Sequence, residues 1–171
     1  MKDFSISNGN SEDVGAVLKL YREVAAIEGG LARTAEEISR EYVENFISKS
    51  IEGGIIVVAR RDENIIGEIH SYALGPKVFA HVLGELTIAV HPDFQGFGVG
   101  KALFTGLMRQ VAENRPDILR VELIARESNA KAVEFYKKLG FEIEGRMTNR
   151  IQSVGGGFES DIPMAWHRKT I

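Results

Sequence analysis

With 171 residues, the chain is long enough for one domain with a substantial core and barely long enough for two. Its 44% hydrophobic and 26% charged residues are those of a globular protein, and a net charge of -3 gives no general affinity for nucleic acid or an anionic membrane. Without cysteine there are no disulfides, no thiolate metal sites and no acyl-cysteine route. The opening residues lack the apolar core of a secretory signal and no apolar run approaches membrane-spanning length, so a cytoplasmic location is the default expectation.

Phe4 to Ile6 reads as a short first strand. Asn10 or Ser11 then caps a helix with Glu12 and Asp13 in its first turn and Val14, Val17, Leu18, Tyr21 and Val24 on one face, ending near Gly29 and Gly30. Thr34-Ala35-Glu36-Glu37 has the form of a capping box opening a second helix, whose buried stripe is Ile38, Tyr42, Phe46 and Ile47. Ile55 to Ala59, a nearly continuous β-branched run, predicts a strand covered on both faces, with Ile65 to Tyr72 as its hairpin partner. A central strand follows from His81 or Val82 to Val90, where Leu86, Ile88 and Val90 alternate with Glu85, Thr87 and Ala89. Leu103, Phe104, Leu107, Met108 and Val111 then recur at helical spacing until Arg115-Pro116. Residues 118–125 form a strand, Ser128 or Asn129 caps a helix carrying Val133, Tyr136 and Leu139, and residues 141–147 and 158–166 are two final strands. This order predicts one α/β (α+β) domain over residues 1–171, a mixed sheet of about seven strands with helices on both faces.

Between central strand and central helix lies Gln95-Gly96-Phe97-Gly98-Val99-Gly100-Lys101. The first N–H groups of a helix have no intrahelical partners and stand at the positive end of its dipole, which suits an anion, and glycine there admits a bulky phosphate. A Walker A loop is excluded because Gly100-Lys101 is followed by Ala102, leaving no hydroxyl for magnesium. A dinucleotide fingerprint is disfavoured because Lys101 stands at its third glycine and residues 91–95 separate the strand from the glycines.

Gln95, Gly98 and Gly100 match the Gln/Arg-x-x-Gly-x-Gly/Ala signature of the acyl-coenzyme A loop, and on it the chain resembles the GNAT superfamily of N-acetyltransferases. Asn129 to Phe141 resembles the family's second cofactor segment, Asn-x-x-Ala-x-x-x-Tyr-x-x-x-Gly-Phe, with Ala132 or Val133 at its alanine. The element order is similar too, so the likeness runs the length of the chain. It implies the GNAT acyl-CoA N-acyltransferase fold and acetyl-CoA as cosubstrate, with Ile88, Ala89 and Val90 holding the pantetheine arm like an added strand. The N–H groups of Gly96, Phe97, Gly98, Val99, Gly100 and Lys101 would hold the pyrophosphate, and a strand N–H would meet the oxyanion formed from the thioester carbonyl.

Asn129 corresponds to the family's side-chain contact to the cofactor; a plain helix cap is its other reading. Tyr136 corresponds to the tyrosine facing the departing sulfur, where a phenol of pKa about 10 beside a thiol of about 8.5 acts as a hydrogen-bond donor. The general base is implied at Glu85, with an ordered water as the alternative. The family's other base position holds Ile124, and Glu122 lies two residues earlier on the same face. His70, His81, His91 and His167 show no paired metal-site spacing, so no metal is expected.

Phe158, Asp161 and Met164 resemble the closing strand of a subset that includes peptide N-terminal and small-amine acetyltransferases. Glu28, Arg33, Arg150, Glu159 and Asp161 fall where the family selects its acceptor. The expected activity is transfer of acetyl from acetyl-CoA to a primary amine, whether a small amine, an amino-acid-like metabolite or a peptide N-terminus, by direct attack in a ternary complex. A non-catalytic acyl-CoA sensor is the alternative. Neither nucleic acid nor membrane is an expected partner, and a homodimer is an assembly frequent in the family.

Overall fold

The computed structural model describes residues 3–153 and 155–169. They fall into two compact units interleaved along the chain, one built from residues up to Ala73 with Thr87–Pro116, the other from Leu74–Leu86 with residues from Asp117 onward.

In the first unit, β1 (Ser5–Asn8) pairs antiparallel with β2 (Gly54–Arg61), which pairs antiparallel with β3 (Asn64–Ala73). Both central strands are buried on both faces, as the β-branched run predicts. Ile56 and Val58 of β2 join a core with Val17, Leu20, Tyr21 and Val24 of α1 (Val14–Ala25) and Val43, Phe46 and Ile47 of α2 (Arg40–Gly53). Val57, facing the other way, lies against α3 (Val99–Asn114), where a Cβ added at Gly106 would stand 3.5 Å from Val57 Cγ1. At Gly67 of β3 the helix comes closer still, since a Cβ there would stand 2.8 Å from Leu103 Cδ1 and 2.9 Å from Val99 Cγ1. A side chain at position 67 would therefore force Leu103 and Val99 to shift.

The second unit starts with residues 82–86 of β4 (Val82–Val90). They run parallel to β5 (Arg120–Arg126), with pairs at Val82↔Arg120 and Leu83↔Val121. β5 pairs antiparallel with β8 (Phe158–His167), which also carries β6 (Glu142–Ile143) and β7 (Met147–Gln152). Val121, Leu123 and Ala125 of β5 are buried while Ile124 is 49% exposed, so this strand covers only one face. α4 (Ala130–Lys138) follows β5.

The mixed sheet and flanking helices match the expected class, with three local differences. The strand expected at 141–147 shrinks to Glu142–Ile143 and a further strand, Met147–Gln152, follows it, so the strands number eight among the described residues. The Thr34 capping box forms, but it closes only a single 3-10 turn, Ala35–Glu37. Ile38 then leaves helical geometry with ψ 84°, and α2 starts afresh with the Ser39 side chain accepting from the Tyr42 N–H. Burial of Ile38 outweighs continuation of the helix, since its side chain is fully enclosed in the core. In the alternating part of β4, Glu85 to Val90, Ala89 is the buried member, whereas Leu86, Ile88 and Val90 are only half-buried. Among the described residues no helix is long and apolar enough to cross a membrane.

Candidate functional site

The first unit holds the junction from β4 to α3. It is fixed before any ligand arrives: His91 N–H donates to Ile66 O at 2.9 Å, His91 Nδ1 accepts from the Asp93 N–H at 3.2 Å, and Gln95 Nε2 reaches back to Val90 O at 3.3 Å. Gln95, expected at the cofactor, thus ties the loop to its own strand. Gly96 and Gly98 take φ 79° and 84°, the left-handed region that glycine enters without penalty.

Gly98 is also the residue at which α3 begins, so no side chain caps that helix. The first helical bond runs from Ala102 N–H to Gly98 O at 2.9 Å, which leaves the N–H groups of Val99, Gly100 and Lys101 ahead of any helical acceptor. No acidic residue lies in the first turn, and Lys101 stands there instead, on the end of the dipole that repels cations.

A Cβ added at Gly96 or Gly98 would meet nothing within 4 Å, and at Gly100 it would make only ordinary contact with Val90 Cγ2 at 3.7 Å and Ile88 Cδ1 at 3.9 Å. The protein itself therefore needs the left-handed turns but not the empty space beside them. Open space, bare amides and a cation at one helix start fit a phosphate group. Ile88 and Val90 border that space, which accounts for their being half-buried. Phe97 is 54% exposed beside it.

The second unit holds the junction from β5 to α4, and there side chains take up two of the backbone donors. Asn129 Oδ1 accepts from the Ala132 N–H at 3.1 Å, so its carbonyl serves as the cap while its amide nitrogen remains the part suited to a ligand. Glu159 accepts from the Ser128 N–H at 3.0 Å and from the Ser128 hydroxyl, and these bonds, more than the nearby Arg126, hold its carboxyl below the ordinary range. Asp161 accepts from Arg150 at 2.7 Å. Two carboxylates expected near the acceptor are therefore spent on holding loops.

Tyr136 lies on α4, mostly covered, and burial pushes its phenol above its ordinary value. At neutral pH it therefore carries its proton. Glu85 is exposed and takes φ 52° in the middle of β4, just after the residues paired with β5. A non-glycine residue in that region within a strand marks local strain of a kind concentrated at functional sites.

One cluster escapes sequence reading. Glu68 and His70 of β3 and Tyr21 of α1 are almost wholly enclosed, with Tyr21 Oη donating to Glu68 Oε2 at 2.5 Å and His70 Nδ1 standing 3.0 Å from Glu68 Oε1. The signal was Glu68-x-His70 in a strand buried on both faces, where polar residues must be paired. Among the described residues no group of three histidine, aspartate or glutamate side chains could hold a metal ion.

Residues 52–143 match the family described as an acetyltransferase (GNAT) domain. The [ribosomal protein bS18]-alanine N-acetyltransferase of Escherichia coli is 37% identical over 87 residues, which cover 49% of this chain and 57% of that protein. An acetyltransferase of Pectobacterium atrosepticum is 32% identical over 89 residues, again 57% of its length, so the match spans little more than half of these curated relatives. In three dimensions the chain superposes on a phosphinothricin acetyltransferase from Sinorhizobium meliloti, solved in complex with acetyl-CoA, with a TM-score of 0.81 at 21% identity, covering 98% of this chain and 89% of the other.

Proposed function

The chain belongs to the GNAT acetyltransferase family, and from that premise we propose that it transfers the acetyl group of acetyl-CoA to a primary amine, by direct attack of the amine in a ternary complex, as one domain over residues 1–171. The observation that carries this reading is the uncapped start of α3, where two left-handed glycines leave room for a ligand beside unpaired helix amides. Acetyl-CoA supplies an activated acyl thioester there. The N–H groups of residues 96–101 grip its pyrophosphate, the backbone of Ile88, Ala89 and Val90 aligns its arm, and the amide of Asn129 gives a further polar contact.

Tyr136 donates a hydrogen bond to the leaving sulfur, consistent with a phenol that burial keeps protonated. The amine's proton leaves through Glu85 or an ordered water. An amine as acceptor is supported by relatives named N-acetyltransferases, one acting on alanine of a ribosomal protein. Small amines, amino-acid-like metabolites and peptide N-termini are the classes to test, and a cytoplasmic location belongs to the same reading. The experiment is a thiol-release screen: with acetyl-CoA fixed and amine classes varied, at least one amine should liberate free CoA thiol. Binding of acetyl-CoA with no thiol released from any amine would favour a sensor, and absence of binding would end the proposal.

A further inference from the structure

The enclosed cluster on β3 bears on the proton that the reaction must remove, and its role rests on the chain being the acetyltransferase proposed. Glu68 is fully buried and His70 retains only 2% of its surface. Burial and the neighbouring Glu68 raise the Tyr21 phenol well above its ordinary value, so Tyr21 remains an O–H donor to that carboxylate. An ionised carboxylate only accepts, so the imidazole nitrogen 3.0 Å from Glu68 Oε1 must carry hydrogen. The tautomer assigned from this network is Nδ1–H, which makes Nε2 the basic nitrogen of the ring.

The ring has no freedom to turn. Phe46 stacks on it at 4.1 Å and 12°, and Tyr72 lies near-parallel to it at 5.9 Å. Nε2 takes none of the cluster's hydrogen bonds. Among the described residues no buried side-chain nitrogen or oxygen lacks a partner, and of the three residues in the cluster His70 alone retains exposed surface.

Two further observations connect this dyad with segments given roles in the proposed reaction. β3 borders the strand segment assigned to the acyl arm, since Ile66 O accepts from His91 N–H and a Cβ at Gly67 would stand 3.3 Å from Ala89 O. On the helix side, aromatic contacts run from the α1–α2 connection to the imidazole: Arg33 lies over Tyr42 at 4.3 Å, Tyr42 meets Phe46 edge-on at 5.3 Å, and Phe46 stacks on His70. The connection that carries Glu28 and Arg33 is where the family resemblance locates acceptor choice.

We propose that His70, oriented by Glu68 and Tyr21, is the proton acceptor for the incoming amine, reached through water at Nε2. The ammonium gives one proton to that water, which passes one to Nε2, and Glu68 balances the charge left on the ring. The free amine nitrogen then bonds to the thioester carbonyl carbon and the carbon–sulfur bond breaks. The nitrogen's second proton goes to sulfur as the amide forms, and the proton on His70 returns to solvent. The groups in contact with the ring are Tyr21 from α1, Phe46 from α2, and Glu68 and Tyr72 from β3 itself, and one step further out Tyr42 meets Phe46 and Lys49 lies over the Tyr72 ring.

The test compares wild type, His70→Gln, Glu68→Gln and Glu85→Gln. His70→Gln should lower kcat about a hundredfold, within the range of general-base catalysis, leave acetyl-CoA affinity within about twofold, and remove the acidic limb of the pH–rate profile. Glu85→Gln should keep that limb. In the wild-type protein, 15N-histidine NMR should show one ring with hydrogen on Nδ1 and a bare Nε2, a signature that does not require turnover. His70→Gln with the wild-type profile, an Nε2–H tautomer in the wild type, or loss of the limb in Glu85→Gln alone would each overturn the assignment. Should His70→Gln fail to fold, the tautomer decides. A wild-type protein that neither binds acetyl-CoA nor releases thiol would instead bring down the acetyltransferase reading.

Discussion

The two strand-to-helix junctions are built from the same parts and finished in opposite ways. After β5, Asn129 caps α4 with its own side chain and Glu159 reaches across from β8 to hold Ser128. After β4, a glycine with φ 84° opens α3 with no cap at all. Glycine in place of a side-chain cap costs roughly a few tenths of a kcal/mol, so leaving the cap out lowers stability slightly in the absence of ligand. The difference teaches that the α4 junction supplies side-chain acceptors of its own, whereas the α3 junction supplies none, as the proposed phosphate site requires.

Filling the open junction should produce the largest effect. Gly98→Val should unfold the turn, since a β-branched residue resists positive φ. Gly98→Asn should keep the fold, because asparagine enters the left-handed region readily, yet should weaken acetyl-CoA binding by on the order of a hundredfold through loss of charge-assisted hydrogen bonds. Calorimetric titration beside circular dichroism separates the two. Wild-type affinity in Gly98→Asn would mean that the two junctions do not differ in this way.

Next in size is Tyr136→Phe, which should slow turnover by roughly tenfold, the value of one donor to a developing charge, while sparing acetyl-CoA affinity. Parallel loss of kcat and affinity would make Tyr136 a packing residue of α4. Asn129→Ala should cost about 1 kcal/mol of stability by uncapping α4. Acetyl-CoA affinity that does not change would identify it as a cap alone.

The smallest effect concerns Glu159. Its carboxyl is held below the ordinary range chiefly by Ser128, so its contribution is present above the unfolded value of about 4.3 and fades as pH falls through the lower folded value. Melting curves below pH 4.3 should therefore lose a few tenths of a kcal/mol in wild type that Glu159→Gln does not lose, roughly the worth of an exposed contact. Equal acid sensitivity in the two proteins would remove Glu159 from the account of the sealed junction.

Much of this was legible beforehand because it depends on neighbours in sequence. The β-branched run from Ile55, the glycines at 96 and 98 and the asparagine before α4 each declare a local geometry, and the structure has the strand, the left-handed turns and the cap in those places. What misled was local too: Thr34 to Glu37 makes its capping box, but the helix does not follow, because Ile38 turns into the core. Glu159 gave no sign that it would seal a loop thirty-one residues earlier in the chain.

By itself, then, the order of residues determined the elements, the glycine-lined helix start and the family, since strand period, left-handed turns and unsatisfied amides are properties of short stretches. Tertiary structure alone decided which groups share an enclosure. Tyr21 and Glu68 lie 47 residues apart, and only the packing of α1 and α2 on β3 expels water from between them and makes a carboxylate, a phenol and an imidazole satisfy one another.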